Sequence, residues 1–328
     1  MRLYPVKFAP ISQPRIWGGD QLKEWFGLEG EQPIGEYWVL SGHPSGVSVV
    51  INGDLAGKTL VELTELYPAA YLGRSPQPRF PLLIKFLEAQ TDLSVQIHPD
   101  DEYAQKYEGD FGKTEAWYVL DCKEDGVVNY GHCFTSREQY MQAVEEGTVK
   151  RFLRYQPIQK EQLVFVPSRT LHALLAGTIV IEVQQTSDVT YRVYDWDRID
   201  EKGNRRELHI EKAADALLYH EGDAMARPEK SSHTPDPTDG AEHTTMVACA
   251  YFTVERIDMK QGQYGLRLGK AGNPDILIVA DGEGLLVYEE DGEQSLTLRR
   301  GDTVLVPSTL EQYALTTDTG LRILRTYY

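Results

Sequence analysis

The chain has 328 residues, 41% hydrophobic and 25% charged, which is enough for two domains with a substantial core and ordinary for a globular protein in water. A formal net charge of −17 argues against nucleic-acid binding, which needs a basic surface, yet leaves room for one small phosphate ester met by a few local cations. No apolar run is long enough to cross a bilayer, Met1 to Lys7 is not followed by a signal-type core, and Cys122, Cys133 and Cys249 have no metal-type spacing, so a cytoplasmic protein with reduced cysteines and no membrane partner is expected.

Short β-like runs separated by Gly, Pro and Asp turns dominate residues 35–135 and 160–195, as in a barrel or double-sheet jelly roll. Helical spacing of apolar residues interrupts them at 60–71, at 136–155 with Ser136 as a candidate N-cap, and at 206–220, where His209 falls on the polar face. Residues 1–220 therefore read as one domain. Residues 221–243, with Pro228, Pro235, Pro237 and Gly240, read as a polar linker whose His233 and His243 are not metal ligands. Residues 244–328 form a second β-rich block, and Gly301-Asp302-Thr303-Val304-Leu305-Val306-Pro307-Ser308 parallels Glu161-Gln162-Leu163-Val164-Phe165-Val166-Pro167-Ser168, the mark of an internal repeat.

Three segments carry the candidate chemistry. Leu93-Ser94-Val95-Gln96-Ile97-His98-Pro99 alternates, so a strand here puts Ser94, Gln96 and His98 on one face. In Lys113-Thr114-Glu115-Ala116-Trp117-Tyr118 the same period puts Lys113 and Glu115 together. In the third, an apolar strand and the Pro167-Ser168 turn precede His172. Two imidazoles, a carboxylate and an amide oxygen, from Gln96, His98, Glu115 and His172, suit a borderline ion such as zinc, and a further open position would make the site catalytic. Taken singly these residues mean little in a chain with eight His and fifty acids; the weight lies in the set. Lys85 interrupts the apolar run Phe80-Pro81-Leu82-Leu83-Ile84-Lys85-Phe86-Leu87, which places it either on an exposed edge strand or against a wet, charged cavity. Arg192 is either a site residue or the partner of Asp188 or Asp195 in a surface ion pair.

These three segments resemble, in order and spacing, the metal-binding segments of type I mannose-6-phosphate isomerases. The resemblance extends through Pro14-Arg15-Ile16-Trp17-Gly18-Gly19, Gly35-Glu36-Tyr37-Trp38 and Ser187-Asp188-Val189-Thr190-Tyr191-Arg192, and Val193-Tyr194-Asp195-Trp196-Asp197-Arg198 is similar to the shorter bacterial branch. It implies a mainly β bicupin, two jelly-roll barrels with α-helical insertions. It further implies one zinc ion per chain and a metal-dependent aldose-ketose isomerase of carbohydrate metabolism. That enzyme interconverts D-mannose 6-phosphate and D-fructose 6-phosphate through ring opening and a cis-enediol(ate). The candidate catalytic residues are then Arg192 and Lys113 at the reacting end or the phosphate, Asp188 in ring opening or in setting the charge of a nearby Lys, and Lys85. The proton-shuttling base stays open among Lys113, Lys85 and Asp188.

Two departures qualify the match. Many relatives read His-Pro-Asn-Lys where this chain has His98-Pro99-Asp100-Asp101, so no phosphate-binding Lys is carried over to that position, and the large helical insertion of eukaryotic and enteric members has no room between Glu115 and His172. In the second copy, Thr309-Leu310-Glu311-Gln312-Tyr313 follows the Pro-Ser turn and no Gln-x-His pair occurs, so this cupin-like domain is expected to lack a metal and to brace the first. The alternatives are an iron-dependent cupin oxidoreductase, and a phosphosugar-binding cupin without turnover. The sequence leaves the oligomeric state open.

Overall fold

Strands Leu82–Ala89 and Thr178–Gln185 are buried along their whole length because the sheet they centre is covered on both faces. The computed structural model, which describes residues 2–199, 203–219, 240–289 and 292–328, places them in a six-stranded antiparallel sheet. Its order is Leu163–Val166, Glu115–Asp121, Thr178–Gln185, Leu82–Ala89, Ile34–Leu40, Ile11–Gly19. A five-stranded sheet, in the order Leu153–Pro157, Val127–His132, His172–Ala173, Val95–Ile97, Tyr191–Tyr194, lies over one face. Trp17, Leu87, Trp117, Val119 and Val180 from the first sheet meet Val128 and Leu174 from the second in the apolar interior of this first barrel. Alternation sends Ile84, Phe86, Ala116, Tyr118, Ile181 and Val183 to the opposite face, where they pack with Val254, Ile276, Leu305 and Tyr328 of the second half.

Among the described residues, eight strands of the second half and Val6–Lys7 from the start of the chain form a nine-stranded antiparallel assembly. Its long strand Asp275–Glu289 changes register between Val279 and Asp281, next to Gly282 at φ +79, so it serves two sheet segments around the core of Ile257, Leu277, Leu286, Leu298, Leu315 and Ile323. Strand Val6–Lys7 pairs with Thr303–Val306, stitching the start of the chain to the second barrel. The expected repeat is visible in register. Glu115 stands opposite Val166, the residue before Pro167-Ser168, and Asp275 stands opposite Val306, the residue before Pro307-Ser308. Lys85 opposes Glu182 in the first barrel and Glu255 opposes Arg325 in the second, with the charge order inverted.

Helix bounds differ from the spacing-based expectation where local chemistry intervenes. The 60–71 segment is two pieces, Leu60–Leu66, opened by a Thr59/Glu62 capping box, and Pro68–Tyr71, because Pro68 cannot continue a helix. The 136–155 segment is α-helical over Arg137–Glu145, with Ser136 capping it; Gly147 at φ +67 ends that helix, Val149–Phe152 is a 3-10 turn, and Leu153–Pro157 is a strand. In 206–220 the helix is Ile210–Ala216, with His209 at its N-cap; residue 220 lies outside the described residues. The expected linker lies outside the described residues through 239, and strand Ala241–Ala248 begins within its expected range, so His243 sits in a strand, bonded to Glu255 and Tyr264. Among the described residues no helix is long and apolar enough to cross a membrane, and Cys122, Cys133 and Cys249 are free.

Candidate active site

The donor residues are brought together by strand register. His172 pairs directly with Gln96 across neighbouring strands, and Gln96 pairs with Arg192 on its other side. The turn before His172 holds Arg169 at φ +68, and the Arg169 N–H donates to the His98 carbonyl at 2.7 Å, which draws the turn against the end of the His98 strand. Asp100 caps helix Asp101–Tyr107 by accepting from Tyr103 N–H at 3.0 Å. Asp101 accepts from Gly112 N–H at 2.8 Å, Gln185 Nε2 at 3.1 Å and Tyr251 OH at 2.9 Å. A Cβ on Gly112 would lie 2.6 Å from the Asp101 nitrogen, so only glycine lets the strand leading to Lys113 and Glu115 pass this closely. The acidic pair after His98-Pro99 is therefore structural, anchoring the approach to the site.

His98, Glu115 and His172 are fully buried, and one donor atom from each lies within 4.8 Å of the others. The Nδ1 atoms of His98 and His172 face the carbonyls of Val189 and Thr170, each at 2.8 Å, which fixes the tautomers and turns both Nε2 lone pairs inward. His98 Nε2 is 3.5 Å from Glu115 Oε2 and His172 Nε2 is 3.3 Å from Glu115 Oε1. The Gln96 amide joins them, 3.5 Å from His172 Nε2. Burial holds both imidazoles below their ordinary range, His172 at about 4, with the nearby Lys113 ammonium acting the same way, so at neutral pH both are uncharged donors. Neither Glu115 oxygen accepts a hydrogen bond of normal geometry, although Lys113 Nζ stands 2.7 Å from Oε2. Two inward lone pairs and an unsatisfied carboxylate at one buried point fit a divalent cation.

From this point a file of alternating charges runs across the barrel wall. Lys113 lies 3.7 Å from Glu182; Glu182 lies 3.7 Å from Lys85; Lys85 lies 3.4 Å from Glu36; and Glu36 accepts from Arg15 at 2.8 Å and Trp38 Nε1 at 2.7 Å. Burial raises the Glu182 carboxyl, aided by Glu115, whereas Glu36, despite burial, falls to about 2 because Lys85 and Arg15 flank it. Burial pulls the Lys113 ammonium down, but Glu115 and Glu182 outweigh it and hold it above its usual value.

Lys85, Lys113, Asp188 and Arg192 all line one cavity of about 330 Å³, together with Gln96, Ser94, Thr190, Trp17, Glu36, Glu182 and Arg206. Lys85 is on a central strand, not an edge, and Arg192 forms an ion pair with neither Asp188 nor Asp195, the latter being taken by Arg198 and Arg206. Asp188 is exposed at this cavity. Sequence reasoning gave no role to Glu182, although a lone acid in Thr178-Ile179-Val180-Ile181-Glu182-Val183 carries the same signal as Lys85. It also passed over Arg206, which sits outside regular structure. His209, expected on a polar helix face, accepts from the Arg192 N–H at 3.0 Å and so supports the strand carrying Arg192.

Two jelly-roll units, the first holding a buried donor set beside a cation-lined cavity that Gln96 and Lys113 reach, define a bicupin with a candidate metal centre. Residues 6–125 match the family model for the phosphomannose isomerase type I catalytic domain. The mannose-6-phosphate isomerase ManA of Bacillus subtilis is 38% identical over 317 residues, 96% of each chain, and the mannose-6-phosphate isomerase of Streptococcus mutans is 36% identical over 312 residues, 94% of each. The crystal structure of the Bacillus subtilis mannose 6-phosphate isomerase superposes with a TM-score of 0.87 at 36% identity, covering 99% of this chain and 100% of that one. The chain belongs to the type I phosphomannose isomerases, a family of aldose-ketose isomerases.

Proposed function

We propose that this protein interconverts mannose 6-phosphate and fructose 6-phosphate in the cytoplasm, with one zinc ion held by Gln96, His98, Glu115 and His172. The observation that carries the reading is the convergence of the two Nε2 lone pairs and the unsatisfied Glu115 carboxylate beside a cavity lined by Lys85, Lys113 and Arg192. Nitrogen and oxygen donors of this mixture suit zinc. When bound, the ion supplies a fixed positive charge that polarises sugar oxygens.

The chain's own residues would do the rest. Moving a proton between C2 and C1 puts negative charge on the former carbonyl oxygen, and Lys113, held cationic by Glu115 and Glu182, is a preorganised partner for it. Lys85, between Glu36 and Glu182, and Asp188 at the cavity are the other groups able to hold or move a proton. Arg192, opposite Gln96 on the paired strand, orients the anionic substrate.

The test is conversion of mannose 6-phosphate to fructose 6-phosphate by protein as isolated, after chelation and after zinc is restored. Activity that is lost and recovered with zinc is expected. Absence of turnover in protein shown to hold stoichiometric zinc would overturn the proposal in favour of a binding role, and recovery with iron but not zinc would change the metal.

A further inference from the structure

Asp195 is a buried carboxylate surrounded by guanidinium groups. It accepts from Arg206 Nε at 2.8 Å, from Arg206 Nη2, and from Arg198 Nη2 at 2.5 Å. Arg206 nonetheless reaches the cavity wall, since Arg192 and Arg206 both line it. The segment that carries it is fixed by backbone pairing, with His209 N–H donating to the Arg192 carbonyl at 2.8 Å. Arg192 spends only one contact on the protein's main chain, Nη1 to the Glu207 carbonyl at 2.7 Å, and its Nε is buried without a partner. Burial first, and the neighbouring Arg206 charge second, lower the basicity of Arg192. Asp195 thus pairs with two guanidiniums and leaves that of Arg192 without an ion pair beside them, an excess of local positive charge in a chain of net charge −17 that an anion would relieve.

The register gives this cluster a place relative to the metal donors. Tyr191, Arg192 and Tyr194 pair with Ile97, Gln96 and Val95, so Asp195 and the Arg206 it holds lie on the side of Arg192 away from His98, towards Ser94. Ser94 is two strand residues from Gln96, about 6.6 Å. That offset is comparable to the separation between the reacting carbons and the phosphate of an open-chain hexose phosphate.

We propose that Arg206 is a substrate-touching anchor for the terminal phosphate, acting with the unpartnered edge of Arg192, and that Asp195 is the positioning residue that aims Arg206 into the cavity. The assignment rests on reading the pocket as a phosphosugar isomerase site. It assigns Asp195 a task distinct from proton transfer.

The experiment is steady-state kinetics of zinc-loaded wild type, Arg206→Gln, Arg206→Lys and Asp195→Asn, with inorganic phosphate as competing inhibitor, and calorimetric titration of the same four proteins with mannose 6-phosphate. Arg206→Gln should raise KM and weaken phosphate inhibition in parallel, each roughly 10- to 100-fold, the scale of one charge-assisted contact, with kcat within about threefold. Arg206→Lys should recover part of both, and Asp195→Asn should shift both in the same direction by less. Unchanged KM and phosphate inhibition in Arg206→Gln, or loss of kcat alone, would overturn the anchor. A wild type without turnover would defeat the isomerase reading, and the calorimetric comparison of wild type with Arg206→Gln would then still decide whether Arg206 holds phosphate. If Arg206→Gln does not fold, Arg206→Lys and Asp195→Asn carry the same comparison.

Discussion

Lys85 and Glu182 are register partners on two central strands, both buried, with Nζ and Oε1 3.7 Å apart. The pair is one link in the file that joins Arg15 to Glu115, so its charge is shared in both directions. Lys85→Met keeps the aliphatic stem and removes the cation between Glu36 and Glu182, leaving two buried carboxylates facing each other. Removal of one partner from a buried ionic group costs about 3 to 5 kcal/mol. Thermal and urea melts should register that loss, zinc content should stay at the wild-type level, and turnover should fall by roughly 100-fold or more, the range of a proton-transfer group. Turnover within a few-fold of wild type would remove Lys85 from the reaction.

The metal proposal predicts a stability effect independent of catalysis. Zinc that binds only the folded chain stabilises it by about 2.7 kcal/mol at a hundredfold excess over Kd. Addition of zinc to chelated wild type should therefore raise the melting temperature. In His172→Ala the rise should vanish, because the inward Nε2 fixed by the Thr170 carbonyl is gone. An equal rise in both proteins would place zinc elsewhere.

The face that Gln96 takes was legible because Ser94, Gln96 and His98 alternate with Val95 and Ile97, whereas Glu115 opens a nearly continuous apolar strand and His172 a two-residue one, so for these two the sequence showed a β-rich surrounding and not a face. The repeat was legible because Val166-Pro167-Ser168 and Val306-Pro307-Ser308 close equivalent strands. Arg206 was not legible, since its place depends on a backbone pairing between His209 and Arg192 that no local pattern encodes. Helix ends were misjudged for the same kind of reason. Apolar spacing continues past Glu145, but Gly147 stops the α-helix, Val149–Phe152 tightens to a 3-10 turn, and from Leu153 on the chain finds strand partners at His132, Asn129, Val128 and Val127.

Acid sensitivity should have a component from His132. Its ring packs on Phe134, and its Nδ1 accepts from the Phe134 N–H at 3.1 Å, a bond only the neutral ring can accept. Burial, and then Arg154, lower its pKa to about 4. The unfolded imidazole titrates near 6.5, so between the two values the unfolded chain binds more protons than the folded one. The stabilising contribution is therefore full above about pH 6.5 and is lost as pH falls towards about 4. In His132→Asn, whose amide oxygen can accept the same N–H, the drop in urea stability between pH 7 and pH 5 should be smaller than in wild type. An unchanged drop would exclude His132 as a contributor.

The second barrel neutralises its buried carboxylates with a covalent cation. Arg325 donates to Asp275 through Nε at 2.9 Å and Nη2 at 2.7 Å, and its Nη1 lies 3.2 Å from Glu255. Asp275 also accepts from Tyr313 OH at 2.8 Å, and Glu255 contacts His243 at 2.9 Å. Every charge in this cluster has a protein partner, whereas Glu115 in the first barrel keeps both oxygens without a proper hydrogen bond. This contrast predicts different dependences on metal. Arg325→Met should destabilise the protein by about 3 to 5 kcal/mol by stranding Asp275 and Glu255, with zinc content unchanged. Adding Asp275→Asn should recover part of the loss, because the remaining buried carboxylate keeps His243 and Tyr327 as partners. Chelation should lower the melting temperature of wild type and of Arg325→Met by similar amounts, since the two clusters are separate. A zinc deficit in Arg325→Met, or no recovery in the double variant, would mean that the two barrels share an electrostatic task that their separate contacts do not imply.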